Sequence, residues 1–133
     1  MAQNITTTQY LTATNGNYSD TFQVSSQFSQ TTLGASAGIA TVATGASLFP
    51  GSVSTNGWLA LRNLAVATAG ANPTVQYGVK PTGSTFLPVG ASQPGEPSIL
   101  RLDPSCTLWW QVQPGTLPTG STTISVQYLL LNN

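Results

Sequence analysis

The sequence predicts an all-β protein, a single antiparallel β-sandwich or jelly roll of about eight strands across residues 1–133. Three observations predict it. Apolar and polar residues alternate with a period of two along most of the chain. Gly- and Pro-containing turn signals recur at roughly 8–12-residue spacing. No stretch carries a convincing helical stripe. A length of 133 residues suits one domain, and a domain of that size buries roughly two-thirds of its unfolded surface. A core therefore needs no disulfide or metal, and Cys106 is the only cysteine.

The elements follow in order. Residues 6–13, Thr-rich with Tyr10 and Leu11, read as a first strand, and Asn15-Gly16 as a hairpin turn. A second reading takes residues 1–15 as an extended N-terminal arm that orders on docking, because the segment is polar and uncharged. Residues 20–30 alternate as a half-buried strand, with Phe22, Val24, Ser26 and Phe28 on one face and Thr21, Gln23, Ser25 and Gln27 on the other. Residues 39–44 form a shorter strand in a region where Gly34, Gly38 and Gly45 disfavour a helix. Residues 48–55 read as a loop around Pro50-Gly51, and Asn56-Gly57 opens a strand at 58–64 that places Trp58 and Arg62 on one face.

In the second half, Val75, Tyr77 and Val79 alternate with Gln76, Gly78 and Lys80. Pro81-Thr82-Gly83 is the best turn signal in the chain and leads to a strand at 84–89. A short strand at 99–102 lies between turns at Pro94-Gly95 and Asp103-Pro104. Residues 107–113 put Leu108, Trp110 and Val112 on the apolar face and Trp109 on the other. The last strand, 122–131, aligns Ile124, Val126, Tyr128 and Leu130.

Charge is the unusual quantity. Three Lys/Arg and three Asp/Glu cancel, and charged residues are 5% of the chain, against roughly 25% in ordinary soluble domains. Solvation falls instead to 20 Thr, 14 Ser, 10 Gln and 8 Asn. Such a surface repels its copies weakly, which points to a surface covered in an assembly. Nucleic acid is not an expected partner, because Arg62, Lys80 and Arg101 are scattered rather than clustered. No secretory signal is expected at Met1-Ala2-Gln3-Asn4, and no run of about 18 apolar residues predicts a membrane span.

The chemistry of a catalytic site is missing. Without His, neither Cys106 nor any Ser has the usual partner base. Glu96 and Asp103 could in principle form a glycosidase carboxylate pair, but Arg101 lies between them, and an ion pair with Arg101 is the better reading. That pair would pin strand 99–102 between its two proline turns. Three scattered acids make no metal site. No enzyme activity, catalytic residue, metal or cofactor is expected. Trp58, Arg62, Trp109, Glu96, Arg101 and Asp103 remain as interface candidates, since outward tryptophans anchor protein interfaces or stack on sugars.

Residues 57–112 also carry a pattern: an aromatic–aliphatic strand ending in Arg62-Asn63-Leu64, then 75–79, then Gly83–Pro88 as Gly-x-Thr-Phe-x-Pro, then Pro94-Gly95-Glu96 with Leu100-Arg101-Leu102 before Pro104. This block resembles a segment of small virion accessory proteins of tailed bacteriophages. The resemblance covers a little under half the chain and implies a β-sandwich scaffold without activity. It implies a virion location, most simply the capsid surface, and a capsid decoration (cement) subunit. The expected partners are the major capsid protein or other virion subunits, with the chain itself a homotrimer. The alternative it leaves open is a tail, fibre or host-attachment module that binds carbohydrate.

Overall fold

The computed structural model describes residues 3–16, 18–30, 35–51 and 57–132. Every regular element among them is a strand: β1 (Gln3–Asn15), β2 (Tyr18–Gln30), β3 (Ala35–Ala43), β4 (Ser47–Leu48), β5 (Gly57–Asn63), β6 (Val75–Val79), β7 (Leu87–Ser92), β8 (Pro97–Leu102), β9 (Trp109–Val112) and β10 (Thr123–Asn132). The all-β class expected from the alternation is the class found. Part of the loop expected at 48–55, and Asn56 of the Asn56-Gly57 signal, lie outside the described residues.

The chain divides into two compact units, residues 1–33 and 34–132. In the first, β1 and β2 pair antiparallel in unbroken register from Gln3↔Gln30 to Asn15↔Tyr18. Gly16, at φ 59°, supplies the left-handed residue of the turn that the Asn-Gly signal predicted. Residues 3–15, read also as an arm, are one strand of this hairpin.

The second unit is an eight-stranded sandwich of two four-stranded sheets, ordered β3-β10-β5-β8 and β4-β9-β6-β7. Its antiparallel pairs are nested: β6 with β7, β5 with β8, β4 with β9, β3 with β10. Successive pairs alternate between the two sheets. A single long hairpin has thus been rolled up, with its tip at Pro81-Thr82-Gly83-Ser84. There Ser84 N–H donates to Pro81 O at 3.0 Å and Gly83 has φ 74°, as a type II turn requires. Seams β10–β5 and β9–β6 close each sheet. This is the jelly-roll arrangement.

Alternation decides what goes inside. Leu59, Leu61, Val75, Val112, Val126 and Trp110 are at most 2% exposed, each worth roughly 1.5–3 kcal/mol or more of burial. Phe49 meets Trp110 edge-on at 5.0 Å and Tyr128 at 5.2 Å, which ties the two sheets across the core.

Two elements depart from the alternation. β4 is a two-residue strand, Ser47–Leu48, at the start of the segment 48–55 read as a loop. It pairs with β9 through Ser47↔Trp110 and Leu48↔Trp109. β7 begins three residues later than the strand expected at 84–89. Its register against β6 jumps between Tyr77↔Gly90 and Gly78↔Pro88, leaving Val89 as a bulge. The bulge fits Gly78, whose added Cβ would lie 2.0 Å from the Leu87 carbonyl oxygen, and Gly90, where one would lie 2.4 Å from the Tyr77 ring.

Candidate interaction surface

The outer face of the β3-β10-β5-β8 sheet carries an apolar row flanked by polar and cationic residues. Because side chains alternate, β5 sends Leu59, Leu61 and Asn63 inward and Trp58, Ala60 and Arg62 outward. Cross-strand register then builds a row of Ala37, Leu129, Ala60 and Ile99 across all four strands. A second row joins Leu131, Trp58 and Arg101, and a third joins Ile39, Gln127, Arg62 and Pro97. Ile39 is 67% and Leu129 39% exposed. A shallow depression of about 350 Å³ lies among Ala37, Ala60, Arg62, Pro97, Gln127 and Leu129.

Trp58 is half-buried, and Arg101 stands directly opposite it on β8. The Arg101 guanidinium lies over its ring, 5.4 Å from the centroid. On the other sheet Trp109, also half-buried and outward, has Lys80 Nζ 4.9 Å above its ring. Two of the three cations therefore cover tryptophan faces, a favourable cation–π arrangement. Arg62 shares the outer face with Trp58, as the spacing predicted, and is exposed. Trp110 is core, as the alternation predicted.

The ion pair expected of Arg101 is not formed with either carboxylate among the described residues; each acid serves its own turn. Glu96 Oε2 accepts from Gln93 N–H at 2.8 Å, and Glu96 N–H donates to Gln93 O at 3.0 Å, closing the turn through Pro94-Gly95. Asp103 Oδ1 accepts from Ser105 N–H at 2.8 Å and from the Ser105 hydroxyl. The Ser105 hydroxyl first, then its N–H, holds the Asp103 carboxyl below its ordinary value. A turn N–H two or three residues away in sequence captures each carboxylate, and Arg101 lies across the strand over Trp58.

One structural residue escaped the sequence reading. Asn63, fully buried at the end of β5, donates through Nδ2 to Pro73 O at 2.8 Å and Ser92 O at 3.0 Å, and accepts through Oδ1 from Ala65 N–H at 3.0 Å. Its own carbonyl accepts from Gly95 N–H at 2.8 Å. It is the Asn of the Arg62-Asn63-Leu64 pattern, and its hydrogen bonds join the β5–β6 connection to the end of β7 and the β7–β8 turn. Its type gave a faint signal, since an Asn at an inward position of an alternating strand must find partners.

Among the described residues no group of three or more His, Cys, Asp or Glu side chains comes together, and Cys106 is an exposed free thiol. The surface offers apolar area, amide and hydroxyl hydrogen bonding, and two cation-capped tryptophans. No known protein family, curated protein or solved structure matches this chain.

Proposed function

We propose that this chain is a non-enzymatic structural subunit of a tailed-bacteriophage virion, a capsid decoration protein that works as a homotrimer and bridges neighbouring capsid subunits. The observation that carries this reading is the apolar row Ala37–Leu129–Ala60–Ile99 on the outer face of a nearly uncharged jelly roll. An exposed apolar sheet face marks a contact surface, and low charge suits dense packing of many copies. The resemblance of residues 57–112 to virion accessory proteins supplies the particle. Mechanically, a rigid sandwich lays this face across two capsid subunits, and an interface of about 1,600 Å² resists their separation.

Copy number in purified particles tests it. Decoration requires hundreds of copies on the head lattice, and finding a handful at the tail, or none, overturns it. Leu129→Asp combined with Ile99→Asp should abolish binding to undecorated particles while the variant keeps its β circular-dichroism spectrum. The carbohydrate-binding alternative is less favoured, because Arg101 and Lys80 occupy one face of Trp58 and of Trp109, where a sugar would stack.

A further inference from the structure

We infer that the β1–β2 hairpin is a self-association element, whose edges pair with those of hairpins from further copies of this chain to close a ring of antiparallel strands. The sheet it forms has two strands, so among the described residues each strand has one side without a sheet partner. A lone two-stranded ribbon is marginally stable in water, and a long open edge is a template for another chain. Chains that stay single guard such edges with Lys, Pro, bulges or short strands. This ribbon has none of these. Its strands are 13 residues each, its register has no break, and residues 3–30 contain no Pro, Lys or Arg. Asp20 is their one formal charge, so ribbons from different copies repel weakly.

The two faces differ. On one, Thr8 and Ser25 hydroxyls lie 3.4 Å apart, Thr12 and Thr21 hydroxyls 3.3 Å apart, and Gln23 Nε2 donates to the Tyr10 hydroxyl at 3.4 Å. This polar ladder suits water. Phe22 belongs to the opposite face and is 66% exposed, with Leu11 opposite it in register and Ile5 opposite Phe28. A ring with the Phe22 face inward hides Phe22 and leaves the ladder wet, with Asp20 of the same face near the turn, toward the ring's rim.

Area and closure select the occupant. A 13-residue strand at about 3.4 Å per residue spans about 44 Å, and each new seam adds roughly a dozen backbone hydrogen bonds. A ribbon about 10 Å wide then covers on the order of 440 Å² in projection, and more as corrugated accessible surface. That projection is about half of the roughly 800 Å² per partner of a standard interface, and the backbone hydrogen bonds of two seams add to it. A twofold pairing would use one edge of each ribbon and leave the other open. Pairing β2 of one copy with β1 of the next, repeated about an axis, uses both edges and keeps neighbours antiparallel. Such a ring needs at least three chains.

Of the proposed function, this inference shares only the homo-oligomer. The test is the native mass of the full chain by light scattering, together with Phe22→Lys and Tyr10→Lys variants, each checked for an intact sandwich by near-ultraviolet circular dichroism of its tryptophans. The expected result is a mass of three or more chains for the parent and Tyr10→Lys, and one chain for Phe22→Lys. A parent mass of one or two chains, or a Phe22→Lys variant that still assembles, overturns the inference. A monomer found in hundreds of copies on particles would defeat the ring and leave the head location standing. A soluble ring absent from particles would do the reverse.

Discussion

At the scale of single residues, Asn63 makes three side-chain hydrogen bonds inside the sandwich, more than Glu96 or Asp103 makes in its turn. Replacing Asn63 with Leu keeps the branched heavy-atom shape but removes all three side-chain hydrogen bonds, stranding Pro73 O, Ser92 O and Ala65 N–H inside the sandwich. An unsatisfied buried polar group costs about 1–3 kcal/mol, so Asn63→Leu should lower unfolding stability by about 3 kcal/mol, read from the urea midpoint. Asp103 gives the pH prediction. Its folded pKa is depressed by Ser105. Its contribution is therefore present above the unfolded carboxylate value of about 3.9 and is lost as pH falls through the lower folded value. A carboxyl NMR titration should place its midpoint below the ordinary aspartate value, and Asp103→Asn should flatten the acid limb of the stability–pH curve. The candidate residues were legible to different degrees. Trp58 and Arg62 on one face, and Trp109 opposite Trp110, follow from alternation alone. The partner of Arg101 does not, because it stands 43 residues away on β5 and register brings it there.

At the scale of elements, strands with clean alternation and a strong turn were readable. Asn15-Gly16 and Pro81-Thr82-Gly83 each sit at a hairpin tip because only a residue free to take positive φ closes those turns. β4 was not readable, since two residues show no period and their pairing is dictated by β9. β7 was misplaced because a bulge at Val89 inserts one residue and resets the alternation. The bulge region also makes the sharpest element-level prediction. An Ala at Gly78 would drive its Cβ into the Leu87 carbonyl, a backbone atom that cannot rotate away. Gly78→Ala should cost more than about 4 kcal/mol and first strip amide-exchange protection from β6 and β7, measured by hydrogen exchange.

At the scale of the whole molecule, the nested pairing makes most contacts of the sandwich distant in sequence, and ion pairs add little to them. Arg101 and Lys80 sit on rings, while Glu96 and Asp103 serve turns. With net charge zero and these groups held by neutral partners, screening has little to weaken. The thermal midpoint should move by less than about 4 °C, under about 1 kcal/mol, between dilute and molar sodium chloride in a scanning calorimeter. A larger fall would mean that charge pairs hold the fold.

The local code carried the class. Period-two patterning, turn residues with positive φ and the near-absence of charge made an all-β, weakly charged protein the reading of the chain alone, because each is a property of neighbours in sequence. Tertiary structure decided the rest: the rolled hairpin with its alternating sheets, the apolar outer row, the cations on Trp58 and Trp109, and the hub at Asn63. Each of these depends on which strand lies beside which. Pairing is set by the joint burial of residues tens of positions apart, and a single bulge shifts it, so alternation along one strand holds no record of the neighbour it will meet.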